Sequence, residues 1–154
     1  LLRTERDLSA FFLRLTLAVV LFPHGAQKVL GWFGGQGLEP TLQHFQNDLG
    51  IPLSFAILAI AAELLGAIGL FIGFLTRVAA FAVAVEMVVA VYLVHLKFGF
   101  FMNWMGEQKG EGFEYHILVF GICLALLLKG GGIWSIDRAI TGRRHKSEIY
   151  LPMH

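Results

Sequence analysis

The apolar positions of this chain fall into four long runs rather than into stripes. They cover residues 8–30, 51–74, 78–96 and 115–128, the last with an extension to 134. Each is near the ~20 residues that carry an α-helix across ~30 Å of hydrocarbon. Backbone in lipid must satisfy its own N–H and C=O groups, so only helices and closed barrels can span. The runs lack the period-two alternation of barrel strands. The pattern therefore predicts an all-α protein. It is a transmembrane four-helix bundle over residues 1–142, followed by a polar cytoplasmic tail at 143–154. Residues 31–50, 75–77 and 97–114 read as the connections.

The first run carries a contradiction at its end. Pro23, His24, Gln27 and Lys28 fall within six residues, just ahead of the glycine-rich "GWFGG". Either the helix stops at Pro23 and these side chains are in water, or it continues and turns them inward. Arg3 and Arg6 give the run a signal-peptide-like start. It has no small-residue cleavage site followed by a polar stretch, so it reads as a true span.

Composition agrees with the membrane reading. Of 154 residues 56% are hydrophobic and 15% charged, with a mean hydropathy of +0.69, too little polarity to cover a soluble domain of this size. A net charge of +1 and a pI near 8.1 offer nothing to a nucleic acid. Cys123 is the sole cysteine, which excludes an internal disulfide and a CxxC redox pair.

Basic residues near the helix ends set the expected orientation. Arg3, Arg6, Arg14, Arg77, Lys129, Arg138, Arg143, Arg144 and Lys146 fall on one side, and Lys28, Lys97 and Lys109 on the other. Nine against three places both termini in the cytoplasm of a multi-pass inner-membrane protein. Trp32, Phe33, Phe101 and Trp104 then lie at the outer interface and Trp134 at the inner one.

Ionisable groups inside a bilayer cost ~2.5–3.5 kcal/mol each on insertion scales, so each needs a partner or water. Glu63 is near the middle of the second run and Glu86 near the middle of the third. Each lies beside a lane of small residues, which lets helices pack closely and turns both carboxyls inward at similar depth. They are the candidate catalytic, proton-carrying residues. Their bland alternative is a pair of carboxyls that merely tie helices together.

A second group gathers toward the outer surface: His24 and Lys28 on the first helix, His95 and Lys97 on the third, Glu114 and His116 on the fourth. His24 and Lys28 are four residues apart and share a face. His95 is nine residues past Glu86, about half a turn away at ~100° per residue, and Glu114 and His116 also diverge by half a turn. His24, Lys28 and Glu114 are therefore the favoured ligand-binding set, with His95 or His116 as a further member. Snorkelling of Lys28 and Lys97 to the headgroups, and interfacial histidines without a role, are the bland alternatives. Arg14 reads as an inner-side anchor.

A di-iron bundle would need Glu-x-x-His pairs at i,i+3. No acid here precedes a histidine by three, and Glu114-Tyr115-His116 has the wrong spacing for one helical face. No metal site is assigned, and no spacing specifies a pair of haem-ligating histidines.

Several segments, taken in order, resemble the DoxX family of four-helix membrane proteins. These are "RLTLAVVLFPHGAQKVLGW", "AAELLGAIGLFIGFLTRVAA", "VEMVVAVYLVHL" and "KGEGFEYHILVFGICLALLLKGGGIWSIDR". The specific elements are His24-Gly25-x-x-Lys28, Glu63-Leu-x-Gly66, Gly73-Phe-x-Thr-Arg77, Glu114-Tyr115 and the glycine-rich turn before Ser135-x-Asp137. The resemblance implies a membrane redox role, since the family takes its name from a small subunit of a thiosulfate:quinone oxidoreductase. It also places His24 and Lys28 at the outer end of a pocket.

Two functional readings follow. In the first, the protein is a redox subunit at the quinone pool: His24 meets a quinone oxygen, Lys28 or Glu114 stabilises negative charge, and Glu63 and Glu86 carry protons. No flavin, haem or Fe–S motif is present in the sequence, so electrons come from the substrate or from a redox partner subunit. In the second, the chain is a non-catalytic membrane anchor or partner subunit, or a small-molecule permease with a proton-coupled glutamate pair. Either way its partners are membrane lipids and a lipophilic small molecule, quinone being the cofactor the first reading allows, and an oligomer is compatible with both. No nucleic acid is expected.

Overall fold

The helix that begins the chain does not stop at Pro23. α1 runs over Leu8–Leu30 with Pro23 inside it, capped at its start by Asp7, whose carboxylate accepts from Ser9 N at 2.7 Å. A proline inside a helix leaves one carbonyl a turn earlier without its donor, which membrane helices tolerate where neighbours re-satisfy the backbone. Termination comes instead at Gly31, whose φ of 69° is the left-handed conformation of a helix C-cap. His24, Gln27 and Lys28 thus stand on regular helix.

The computed structural model describes residues 2, 4 and 6–149, with side chains as far as residue 142. Arg3, the side chains of Arg143, Arg144 and Lys146, and the end of the polar tail lie outside the described residues. The chain continues with α2 (Leu38–Asn47), α3 (Leu53–Ile72) and α4 (Thr76–Ala90). A π-helical turn over Val91–His95 and a 3₁₀ turn over Leu96–Phe98 prolong α4. α5 (Glu114–Lys129) and α6 (Ile136–Ile149) complete it, and no strand occurs among the described residues. Two segments differ from the sequence reading. The connection 31–50 contains a helix, and α6 carries the chain on from the bundle into the polar tail as far as Ile149.

Among the described residues three helices are long and apolar enough to cross a membrane: Leu8–Leu30, Leu53–Ile72 and Thr76–Phe98. α5 has 16 residues, about 24 Å at ~1.5 Å per residue. It packs beside α4 and α1 as the fourth member of the bundle, and its expected extension to 134 is cut by glycines 130–132. The core is built from Leu17, Leu21, Leu70, Val83, Cys123 and Leu126, each at most 1% exposed.

α1 and α3 approach most closely at Gly25. A methyl group there would lie 2.8 Å from Leu64 Cα, closer than side-chain atoms ever sit, so only glycine permits the contact. Gly25→Val is expected to push the two helices apart and to cost about 1–3 kcal/mol. Thermal unfolding in detergent checks this.

The end of the bundle where α1 begins is held by Arg14, which is 1% exposed. Its guanidinium donates to Leu70 O and Phe71 O in the last turn of α3, and to Gly131 O, Ile133 O and Trp134 O in the turn after α5. The anchor expected at Arg14 is thus a clamp that ties α1 to the carbonyls ending α3 and to those of the turn after α5. Next to it the buried carboxylate of Asp137 accepts from Leu75 N at 2.8 Å and Thr76 N at 2.9 Å, capping α4. At the surface, hydrogen bonds from Lys129 and Ser9 hold the Asp7 carboxyl well below the usual carboxylate range.

Candidate functional site

Above this packed core the bundle opens. A chamber of about 440 Å³ lies in the half of the bundle away from the N-terminus, walled by α1, α3, the α4–π segment and α5, and roofed by α2 and the 99–113 loop. That volume is within the range that holds a small organic ligand. Most of its wall is apolar, supplied by residues such as Leu21, Ala59, Met87, Leu93 and Val94. The polar groups converge from opposite sides.

On the α1–α3 side the Lys28 ammonium donates to Glu63 Oε2 as an ion pair. The close α1–α3 contact at Gly25 sits one turn below Lys28 and brings it within reach of α3. The Glu63 side chain is 6% exposed and that of Lys28 is 27%, so the pair is anchored in the bundle at one end and wetted at the other. Lys28 thus does not merely snorkel, and Glu63 is matched by a cation rather than by Glu86 alone.

The α4–α5 side is different in kind. Glu86 Oε2, Tyr115 Oη and His116 Nδ1 are all buried and have no hydrogen-bond partner within the protein. Buried polar atoms are nearly always paired, and each left unmade costs about 1–3 kcal/mol. All three residues line the chamber. A set of unsatisfied groups on one wall of an apolar cavity has the chemistry of a ligand's hydrogen-bonding partners. His95 lies against His116, with ring centroids 4.1 Å apart, and its Nδ1 is 2.8 Å from Glu111 O in the 99–113 loop.

Six of the seven candidate site residues therefore meet around one cavity: His24, Lys28, Glu63, Glu86, His95 and His116. Glu114 does not line it. Its Oε1 accepts from Met102 N and Trp104 Nε1, both at 3.0 Å, so it pins the 99–113 loop to the start of α5. His95 joins through a local irregularity. A regular helix would leave it half a turn from Glu86, but the π-helical turn at Val91–His95 widens the winding and delays its rotation.

Three features lie beyond the reach of the sequence. Tyr115 enters only as part of a motif, the roofing pair His44 and Phe45 lies in a presumed loop, and Arg14 reads as an anchor without its buried carbonyl partners. A signal for Arg14 did exist, because Ala10, Arg14, Leu17, Ala18, Leu21 and Gly25 form one helical stripe, and all are buried. Beyond the roof, a more open polar groove of about 790 Å³ lies between the 31–37 loop and α2, and shares Lys28, His44 and Phe45 with the chamber.

A sequence model of the family described as DoxX matches residues 9–96, more than half of the chain. The chain belongs to the DoxX family. It is 32% identical over 120 residues to the Bacillus subtilis protein named "Putative oxidoreductase CatD", covering 78% of this chain and 79% of that protein. It is also 25% identical over 135 residues to the Escherichia coli "Inner membrane protein YqjF", covering 88% and 94%. No solved structure matches significantly. The DoxX match takes in α1 to the end of the π-helical turn, with Lys28, Glu63, Glu86 and His95, but stops short of α5. The two whole-chain similarities are too long to end at residue 96, so they reach α5, where Tyr115 and His116 stand.

Proposed function

We propose that this DoxX-family membrane protein is a redox protein, or the membrane subunit of one, whose chamber binds a quinone or a similar lipophilic molecule with ring oxygens. The observation that carries the reading is the trio of unpartnered buried atoms, Glu86 Oε2, Tyr115 Oη and His116 Nδ1, lining an otherwise apolar cavity. The name of the Bacillus subtilis relative, which carries the word oxidoreductase, supports the redox half.

A bound quinone would supply two-electron, two-proton chemistry. The chain's own part is to bind, orient and exchange protons. Tyr115 Oη donates to a ligand oxygen, Glu86 holds or accepts a proton beside it, and the apolar wall excludes bulk water. The Lys28 ammonium, already balanced by Glu63, sets the potential on the opposite side and favours an anionic oxygen facing it. Electrons travel to or from a partner subunit or a reducing substrate. Between the chamber and the inner face, the packed side chains of Leu17, Leu70, Val83 and Leu126 favour this binding reading over a permease.

The test is binding of a short-chain quinone analogue to the purified chain in nanodiscs, followed by fluorescence quenching. Glu86→Gln and Tyr115→Phe are each expected to weaken it by about 1–3 kcal/mol. Tyr115→Phe should at the same time leave the unliganded melting temperature unchanged or higher, because it removes a buried hydroxyl with no protein partner. Normal binding by both variants would sink the assignment.

The orientation is part of the same proposal. Nine basic residues against three put both termini in the cytoplasm and the chamber on the outer side. A reporter fused after residue 150 is expected to be active inside the cell and silent outside it. Reversed labelling would place the chamber on the cytoplasmic face.

A further inference from the structure

Resting on that reading of the chamber, we infer that the site exchanges protons with the outer aqueous phase alone, by way of His116 and then His95. The inference separates two directions that intramembrane carboxylates leave open. Downward, the chamber floor gives onto side chains that are at most 3% exposed, among them Leu17, Ala67, Val83, Val119 and Leu126. At the inner end stands the Arg14 guanidinium, committed to five carbonyls. A fixed cation in a dry core is a barrier to protons, not a step for them.

Upward, the arrangement is the opposite. His116 is 7% exposed, lines the chamber with Glu86 and Tyr115, and has no protein partner at Nδ1. Its ring lies against His95 with centroids 4.1 Å apart. His95 is bonded through Nδ1 to Glu111 O, and Glu111 belongs to the exposed outer loop. The bond to a carbonyl makes Nδ1 of His95 the protonated nitrogen and leaves Nε2 as the acceptor.

Two imidazolium rings at this separation would repel, so the neutral pair, with one N–H on each ring, passes along a single excess proton. A proton taken from a ligand O–H at His116 therefore displaces the one His95 releases to outer water. The O–H bond breaks at the ligand, its electron pair stays on the ligand oxygen, and the proton ends in the outer phase.

The other titratable groups facing the pair do not open a second route. Lys28 and Glu63 are occupied with each other, His44 and Glu111 belong to the roof, His24 stands one turn below Lys28 on α1, and Glu86 and Tyr115 are chamber walls. Every exit they offer leads outward too. The π-helical turn acquires a purpose in this scheme: without it His95 would be turned away from the chamber.

The test uses the full chain, oriented right-side-out in lipid vesicles, with a pH dye outside and another in the lumen. The probe is a hydroxynaphthoquinone, a weak acid whose binding is followed by fluorescence quenching, with protein-free vesicles correcting for permeation. In the wild type, protons are expected outside, at the same rate as quenching. In His95→Ala and His116→Phe their appearance should lag behind quenching by roughly 10²-fold, the scale of a lost proton-transfer group. Imidazole added outside should shorten the lag in His95→Ala, whereas imidazole in the lumen should not. Protons appearing in the lumen, no lag in either variant, or rescue from the lumen would overturn the inference while leaving the binding reading intact. A wild-type chain that does not quench with the probe would overturn both.

Discussion

Arg14→Met is expected to cost the bundle more than about 4 kcal/mol, or to prevent its folding. The guanidinium meets five carbonyls, two in the last turn of α3 and three in the turn after α5. The bonds to Gly131 O and Leu70 O are buried and the other three part-buried, and Leu70 O also accepts from Gly73 N at 3.3 Å. Each unsatisfied carbonyl costs about 1–3 kcal/mol, and methionine supplies no donor. Losses above about 4–5 kcal/mol are rare for single substitutions and mark a broken polar network. Arg14→Lys should recover only part, because an ammonium has three donors and no planar fork. Melting of the wild type and the two variants in detergent gives the comparison. A methionine variant within about 1 kcal/mol of wild type would mean that the clamp is redundant with the Asp137 cap.

The second large effect is expected at the Lys28–Glu63 pair, and it is asymmetric. Lys28→Met leaves the Glu63 carboxylate buried and alone, which costs about 3–5 kcal/mol for a buried pair broken on one side. Glu63→Gln should cost much less, since the Lys28 side chain is 27% exposed and can carry its ammonium to the headgroups. The double variant should lie closer to wild type than the sum of the two, because each substitution removes the other's unpaired charge. A thermodynamic double-mutant cycle on purified protein checks this. Additive losses would show that the two groups do not stabilise each other. Equal losses would show that Lys28 is as deeply held as Glu63.

Much of the architecture can be read from the chain itself. Bilayer thickness and the need to satisfy backbone groups turn four apolar runs into helices with little freedom, and three of the four meet the length and hydropathy of a span. The fourth, α5, stops at Lys129 instead of extending to 134, because glycines 130–132 end it and form the turn that Arg14 grips. That Glu63 and Glu86 face inward also follows from the sequence, because the alternative is a charge in lipid.

The site is less legible, and the reasons are specific. Helical projection at ~100° per residue excludes His95 from the face of Glu86, and it fails because the backbone changes its winding at Val91–His95, which no residue there announces. Glu114 belongs to the recognised motif, yet it is spent on Met102 N and Trp104 Nε1, partners contributed by a loop whose path the sequence does not describe.

What the sequence by itself determined is everything governed by solvent: which segments are buried in lipid, that they are helical, and that the few ionisable groups among them need inward partners. Those outcomes depend on each segment alone, through burial and backbone hydrogen bonding. Which groups meet was decided only by tertiary structure. The contact at Gly25 delivers Lys28 to Glu63, the π-helical turn delivers His95 to His116, and the fold of the inner turn delivers five carbonyls to Arg14. Pairing across helices depends on rotation and depth to within an ångström or two, and these are fixed by packing between segments far apart in the chain.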